Sequence, residues 1–234
     1  MPTMGALHAG HEALIAAARA ECETVVVSMF VNPAQFDDDR DLAAYPRQEE
    51  RDLELAAAAG ADVVFAPSAA EMYPPGFQTW VEVEELSRGL EGAHRPGHFR
   101  GVATVCLKLF NIVRPRFAYF GQKDAQQVAV IRRLVDDLNL DLTVRSIATV
   151  REPDGLALSS RNARLSAEER ALALALPRAL ATRDPDAARA LLDGLEVDYV
   201  EVADFDPPVL AAAVRVGSTR LIDNVVLTEK EEER

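Results

Sequence analysis

Cysteine is scarce in this 234-residue chain, which has two, Cys22 and Cys106. Two thiols so far apart make neither a metal-ligand spacing nor a disulfide framework, and a reduced, cytoplasmic setting fits best. Long apolar runs are also missing: none approaches the roughly 18–20 residues that a membrane span requires. No basic leader followed by a hydrophobic segment opens the chain, so no signal peptide is read. Positive charge is in short supply, with 25 Lys and Arg against 38 Asp and Glu and a net charge of −13. That balance argues against a nucleic-acid surface, which needs clustered Lys and Arg. Small anionic ligands stay possible, because a pocket can be locally positive inside an acidic protein. Part of the acidic excess is the terminal EKEEER at 229–234, read as a solvated tail and given no function. Histidine is rare as well: of four in the chain, two fall in the opening stretch PTMGALHAGHEALI.

What is present alternates. HEALIAAARAE reads as a helix with Gly10 or His11 near its N-terminus. TVVVSMF (24–30) is a β-branched run, the mark of a strand buried on both faces of a parallel sheet. QEERDLELAAAAG is a helix closed by Gly60, and ADVVFAP (61–67) is the next short strand. After the turn YPPGF comes the extended piece QTWVEV, then an apolar helix over 101–115 that Pro115 stops. RFAYFGQKD is a strand running into a loop, AQQVAVIRRLVDDLNL an amphipathic helix with Asp124 as its N-cap, and DLTVRSIATV a further strand. Strands alternating with helices predict an α/β fold, a Rossmann-like open parallel sheet with helices on both faces. Past Val150 the texture changes. A loop-rich junction, REPDGLALSSRNARLS, leads to the helix AEERALALALPRAL and two strand-like runs, VDYVEVADFD and STRLIDNVVL. The expected division is residues 1–149, and a small C-terminal α+β lid domain over 150–234.

Five segments carry candidate chemistry. His8 and His11 flank Ala9-Gly10 where a helix starts; a helix N-terminus attracts phosphate, Gly10 permits close approach, and two imidazoles add donors. Metal ligation by the pair is the other reading, although two ligands alone are poor evidence for zinc. FGQKDAQQ puts Gly121, Lys123 and Asp124 at a strand-to-helix turn, where Lys123 can reach phosphate and Asp124 either caps the helix or accepts from ribose hydroxyls. LALSSRN supplies Ser159, Ser160 and Arg161, either a plain loop or donors for phosphates. VNPAQF offers Asn32 and Gln35, neutral amides suited to a hydroxyl-bearing substrate. HRPGHFRGV holds Arg95 and His98, which an ordered surface loop would equally explain.

Together PTMGALHAGH, VNPAQF, HRPGHFRGV, FGQKDAQQ and LALSSRN resemble, in wording and in order from Pro2 to about Leu227, the pantothenate synthetase (pantoate–β-alanine ligase) family. That family is a member of the HIGH-type nucleotidyltransferase superfamily. The resemblance implies condensation of pantoate with β-alanine, using ATP and magnesium, through a pantoyl adenylate, with AMP and diphosphate released. It implies a homodimer with small-molecule substrates. Carried over, Met4, Gly5, Ala6, Leu7, His8, Ala9, Gly10 and His11 line the ATP site, with His8 and His11 at the phosphates and His11 the catalytic histidine. Gly121, Gln122, Lys123 and Asp124 hold ribose and phosphate. Val150 contacts adenine, and Leu158, Ser159, Ser160 and Arg161 close over the phosphates. Gln35 and Gln127 bind pantoate, Gln35 also lying near β-alanine, while Arg95 and His98 serve as flap or supporting residues.

The chain departs from the family pattern in three places. Only Asp52 of QEERDLE stands where a magnesium ligand is expected, with Arg51 beside it. Only three residues precede Met4, so the first strand of the sheet is expected to be missing. The C-terminal domain is shortened between Ala181 and Val197. Three rival readings stay in view: another adenylyltransferase of the superfamily, a module that binds metal through its four histidines, and a folded relative without activity.

Overall fold

The computed structural model describes residues 1–227, so the run EKEEER lies outside the described residues. The chain divides into two compact units, one of Met1–Gln122 with Gln126–Ala148, the other of Lys123–Ala125 with the residues from Thr149 onward.

In the first unit every strand is parallel. β1 (Pro2–Thr3), β2 (Val26–Met29) and β3 (Val63–Phe65) pair in that spatial order, while β4 (Phe117–Gly121) pairs with β5 (Thr143–Ile147). Of the first strand, which was expected to be missing, two residues are present. Pro2 and Thr3 stand in register with Ser28 and Met29, and the Ser28 and Phe30 N–H groups donate to Met1 and Thr3 carbonyls, both at 3.0 Å. Proline is tolerated there because it is the first residue of its strand. β1 lies against β4, so the strand order reverses between them. At the amino ends of β2 and β4 a cavity of about 620 Å³ opens, lined among others by Met1, Val25, Val26 and Phe117.

The crossovers are α1 (Ala9–Glu21), α2 (Asp39–Ala44), α3 (Glu49–Ala59), α4 (Ala69–Met72), α5 (Glu91–His94), α6 (His98–Val113) and α7 (Ala125–Asp137). Period-two alternation along β4 places them on both faces. Ala118 and Phe120 point into a core with Val102, Cys106 and Leu109 of α6 and Val128, Ile131 and Val135 of α7. Phe117 and Tyr119 point the other way, against Leu14, Ile15 and Ala18 of α1 and Ala56 of α3. Gly60 ends α3 in the left-handed conformation, φ 104°, as a C-cap should. QTWVEV forms no strand of its own; the Val81 N–H instead donates to Thr104 Oγ1 of α6 at 3.0 Å.

In the second unit, α8 (Ala167–Ala173), α9 (Ala175–Leu180) and α10 (Pro185–Leu191) cover an antiparallel sheet of β6 (Glu196–Ala203), β7 (Val209–Val216) and β8 (Thr219–Val226), ordered β6-β7-β8. Two expectations are corrected here. The single helix over 167–180 is two, because Pro177 has no N–H to give to Ala173 and its ring crowds that carbonyl. The sheet has three strands, and the one not foreseen, β7, is its centre. Its run of three alanines has little strand preference, yet Leu210, Ala212 and Val214 are buried under Leu176, Ala179 and Leu180.

Candidate active site

The chain leaves β1, β2 and β4 through the segments that begin at Met4, Phe30 and Gln122, all at carboxyl ends of parallel strands. The reversal between β1 and β4 makes this the edge where open α/β sheets bind ligands.

His8 is the N-cap of α1, extended at φ −148° and ψ 176°. Its Nδ1 accepts the Gly10 N–H at 3.1 Å, and His11 Nδ1 accepts the His8 N–H at 3.3 Å. Two imidazoles thus form the reciprocal capping box usually made by Ser or Thr with Glu or Gln. An Nδ1 that accepts carries no proton, so each neutral ring holds its hydrogen on Nε2. The ring centroids are 4.2 Å apart. This corrects one part of the sequence reading: the N–H groups of His8, Gly10 and His11 are engaged within the cap, the last by the His8 carbonyl at 2.7 Å.

The loop before the cap is held from α3. Asp52 is 2% exposed, and its Oδ2 and Oδ1 accept the Ala6 and Leu7 N–H groups, both at 2.7 Å. Gly5 and Ala6 are left-handed, at φ 83° and 53°. For alanine that conformation costs roughly 1–2 kcal/mol, which two charge-assisted hydrogen bonds can offset. The expectation of Asp52 as a magnesium ligand meets a poor donor set, since both oxygens already face N–H donors in a buried place. Among the described residues no group of three or more His, Cys, Asp and Glu could hold a metal ion. A protein-held magnesium does not fit this site.

VNPAQF becomes a 3₁₀ turn over Pro33–Gln35 with Asn32 as its cap. Asn32 Nδ2 donates to Gln35 Oε1 at 3.0 Å and to the Gly101 carbonyl at 3.2 Å, while its Oδ1 accepts the Tyr73 hydroxyl at 2.9 Å. Gln35 Nε2 donates to Met4 Sδ at 3.0 Å, joining this turn to the histidine loop. His98 Nδ1 donates to the Gln35 carbonyl at 2.8 Å, and Arg95 Nη1 donates to His98 Nε2 at 3.2 Å. HRPGHFRGV is thus the support of the Gln35 turn. Gln127 is half-buried in the first turn of α7. Its neighbour Gln126 is buried and spends its amide on the Leu86 and Gly89 carbonyls and the Glu91 N–H. On the β4 side, the Gln122 amide oxygen accepts the Ser146 hydroxyl at 2.5 Å.

Candidates of the second unit form their own set. Gln122–Asp124 is a 3₁₀ turn that runs straight into α7, so Asp124 enters the helix through a turn instead of starting it as an N-cap. Lys123 Nζ is 3.5 Å from Asp124 Oδ1, and its carbonyl accepts from Asn224 Nδ2 at 2.8 Å. The Val150 carbonyl accepts the Leu158 N–H at 2.9 Å, bringing those two together. Ser159 caps the 3₁₀ turn Ser160–Arg164, its Oγ accepting the Arg161 N–H at 3.3 Å. Sequence reading missed what fixes this loop: Asn162 Nδ2 donates to Glu152 Oε1 at 2.6 Å, and Arg170 pairs with Glu152 and Asp154 at 2.6 and 2.7 Å.

Residues 1–226 match the family described as pantoate-beta-alanine ligase. The chain belongs to that family. The pantothenate synthetase of Heliobacterium modesticaldum is 53% identical, over 97% of this chain and 90% of the relative, and that of Geobacter sulfurreducens is 51% identical over 99% and 91%. Among solved structures, pantothenate synthetase from Thermus thermophilus superposes with a TM-score of 0.92 at 45% identity, covering 96% of this chain and 91% of that one. A pantoate-beta-alanine ligase from Francisella tularensis, complexed with beta-gamma ATP and beta-alanine, gives a TM-score of 0.84 at 37% identity over 96% and 87%. Members of the family therefore share with this chain both the parallel α/β unit and the small antiparallel unit after it.

Proposed function

We infer that the protein joins pantoate to β-alanine at the expense of ATP, giving pantothenate, AMP and diphosphate. The observation that carries this reading is the imidazole capping box, two rings fixed through their Nδ1 atoms, in a loop tied through Met4 to the neutral amide of Gln35. A carboxylate is a poor acyl donor until one of its oxygens becomes a good leaving group. In the first step a pantoate carboxylate oxygen bonds to the α-phosphorus, the bond to the β-phosphate oxygen breaks, and diphosphate leaves with the electron pair. In the second, the β-alanine nitrogen attacks the acyl carbon, the carbon–oxygen bond to phosphate breaks, and the amine proton is lost as AMP departs.

Negative charge gathers on the α-phosphate in the first step, and preorganised donors stabilise it because they need not reorient as it forms. We assign that task to His11 and His8, and give Lys123 the neutralisation of phosphate charge. Met4–His11 and Gly121–Asp124 are assigned to ATP, Val150 to adenine, and Leu158–Arg161 to the outer phosphates. Gln35 and Gln127 are assigned to pantoate. Asn32 takes one face of the Gln35 Oε1 and Met4 Sδ takes one Nε2 hydrogen, so we assign the second Nε2 hydrogen to a substrate oxygen. Neutral amides here favour a hydroxy acid over a phosphorylated acceptor, which would want cations. Magnesium in this reading arrives with the triphosphate. A homodimer and a cytoplasmic setting belong to the same reading, the second supported by the two free thiols.

The test is exchange of labelled diphosphate into ATP with pantoate present and β-alanine absent. Exchange dependent on pantoate is the expected result. Exchange that strictly requires β-alanine would exclude a free adenylate, and no exchange under either condition would remove the assignment.

A further inference from the structure

We propose that Asp52 is a positioning residue for adenylation: from α3 it holds the backbone at Ala6 and Leu7 so that the His8–His11 cap faces the nucleotide. This rests on the reading of Met4–His11 as the ATP loop.

Successive backbone N–H groups in a tight turn can point to one side and create a concavity that binds an anion. Gly5 and Ala6 make such a turn, and in a nucleotide site its natural occupant would be a phosphate oxygen. Here the anion is built in, as the Asp52 carboxylate bonds Ala6 and Leu7 across sequence separations of 46 and 45 residues. Its two oxygens match two donors, and a carboxylate is acceptor-only, so neither N–H faces another hydrogen. A Cβ added at Gly5 would lie 3.0 Å from Asp52 Oδ2, so the fit is close at the third residue of the turn as well. Thr3 Oγ1 completes the turn by accepting the Gly5 N–H at 3.1 Å. The consequence is chemical. With that concavity filled from within and the His8 and Gly10 N–H groups spent on imidazole Nδ1 atoms, what the cap presents to a nucleotide is set by the two rings. Their aim depends on a backbone that α3 fixes.

Asp52→Asn keeps one acceptor and sets an amide N–H₂ against the other backbone donor. The expected result is a fall of about 10²-fold in kcat for pantoate-dependent exchange, as a misplacement on the order of 1 Å gives. KM for pantoate and the free magnesium giving half-maximal rate should each stay within about threefold. In ¹⁵N spectra the His8 and His11 ring resonances should move toward a tautomer mixture. A rise of tenfold or more in the magnesium requirement, with the rate restored by excess magnesium, would make Asp52 a metal ligand and overturn the proposal. Full kcat in the folded fraction of Asp52→Asn would make it a stabilising acid only, and overturn it too. Should that variant not fold, amide hydrogen exchange in the unmodified protein decides. Ala6 and Leu7 must be protected about 10²-fold or more over unstructured amides, and rapid exchange there sinks the clamp. Protected amides in a protein without diphosphate exchange would leave the clamp standing and remove the activity, so the two failures are distinct.

Discussion

Gly101 of α6 faces the Ala34 backbone so closely that a Cβ on it would lie 2.2 Å from the Ala34 carbonyl oxygen. The same residue's carbonyl accepts from Asn32 Nδ2. Helix and turn are in backbone contact there, with no flexible side chain to absorb a change. Overpacking of this kind costs roughly 1–3 kcal/mol. Gly101→Ala should therefore displace the Pro33–Gln35 turn, raising KM for pantoate about tenfold or more while KM for ATP moves little. Steady-state kinetics with each substrate varied in turn would test this. An unchanged KM for pantoate would mean that Gln35 does not bind it.

The two histidines can be separated into cap and donor. Asparagine is among the best N-cap residues, so His8→Asn should keep α1 within a few tenths of a kcal/mol of its stability. It removes the Nε2–H donor, and loss of one preorganised donor typically costs about 10²–10³ in rate. Thermal unfolding and kcat measured together give the answer. His8→Asn with full activity would show that the His8 ring is there for the helix alone. His11→Ala should lose both rate and cap, with kcat falling more than KM for pantoate rises.

What the sequence made legible was local. His8 and His11 lie three apart at a helix start, and the helix, the glycine and the rings can be read from four letters. Asp52 was set apart from Glu49 and Glu50 only by the family resemblance, and there as an expected magnesium ligand; the backbone partners it has, some 45 residues away, left no sign in the sequence. Gln126 and Gln127 are likewise indistinguishable as letters, and only the fold makes the first a buried tie for the Leu86–Glu91 segment. The alanines of β7 carry no strand signal because what holds that strand is its place between β6 and β8. Pro177 was a readable break in the helix over 167–180. The ion pair of Arg151 with buried Asp223, at 2.7 Å, joins residues 72 apart and had no local sign at all.

Glu21, at the C-terminal end of α1, accepts from the Arg145 guanidinium at 2.5 Å and from the Tyr119 hydroxyl at 2.6 Å. Those hydrogen bonds, Arg145's first, hold its carboxyl below the ordinary value of 4.5. A carboxyl depressed in the folded state binds fewer protons there than in the unfolded chain, so the stability it contributes is present above the unfolded pKa. It is lost as pH falls through the folded value. Urea unfolding of the parent and of Glu21→Gln should give a gap that is constant above about pH 6, narrows below about pH 4.5 and closes in stronger acid. A gap independent of pH across that window would mean that Glu21 acts through packing and not through its charge.

The two thiols should differ sharply in reactivity. The thiolate is the nucleophile, so alkylation follows exposure and pKa together. Cys106 lies on the inner face of α6 at 3% exposure, and burial pushes its thiol up to about 12. Cys22, the C-cap of α1, is half-buried, with its Sγ 3.5 Å from the Tyr119 hydroxyl. Iodoacetamide at about pH 8 should label Cys22 in the native protein and spare Cys106, and both should react once the chain is unfolded. Mass spectrometry of the digested protein would assign each adduct. Native labelling of Cys106 at a rate near that of Cys22 would contradict the packing of α6 against β4. Slow labelling of Cys106 that tracks denaturant would instead measure how often that face opens.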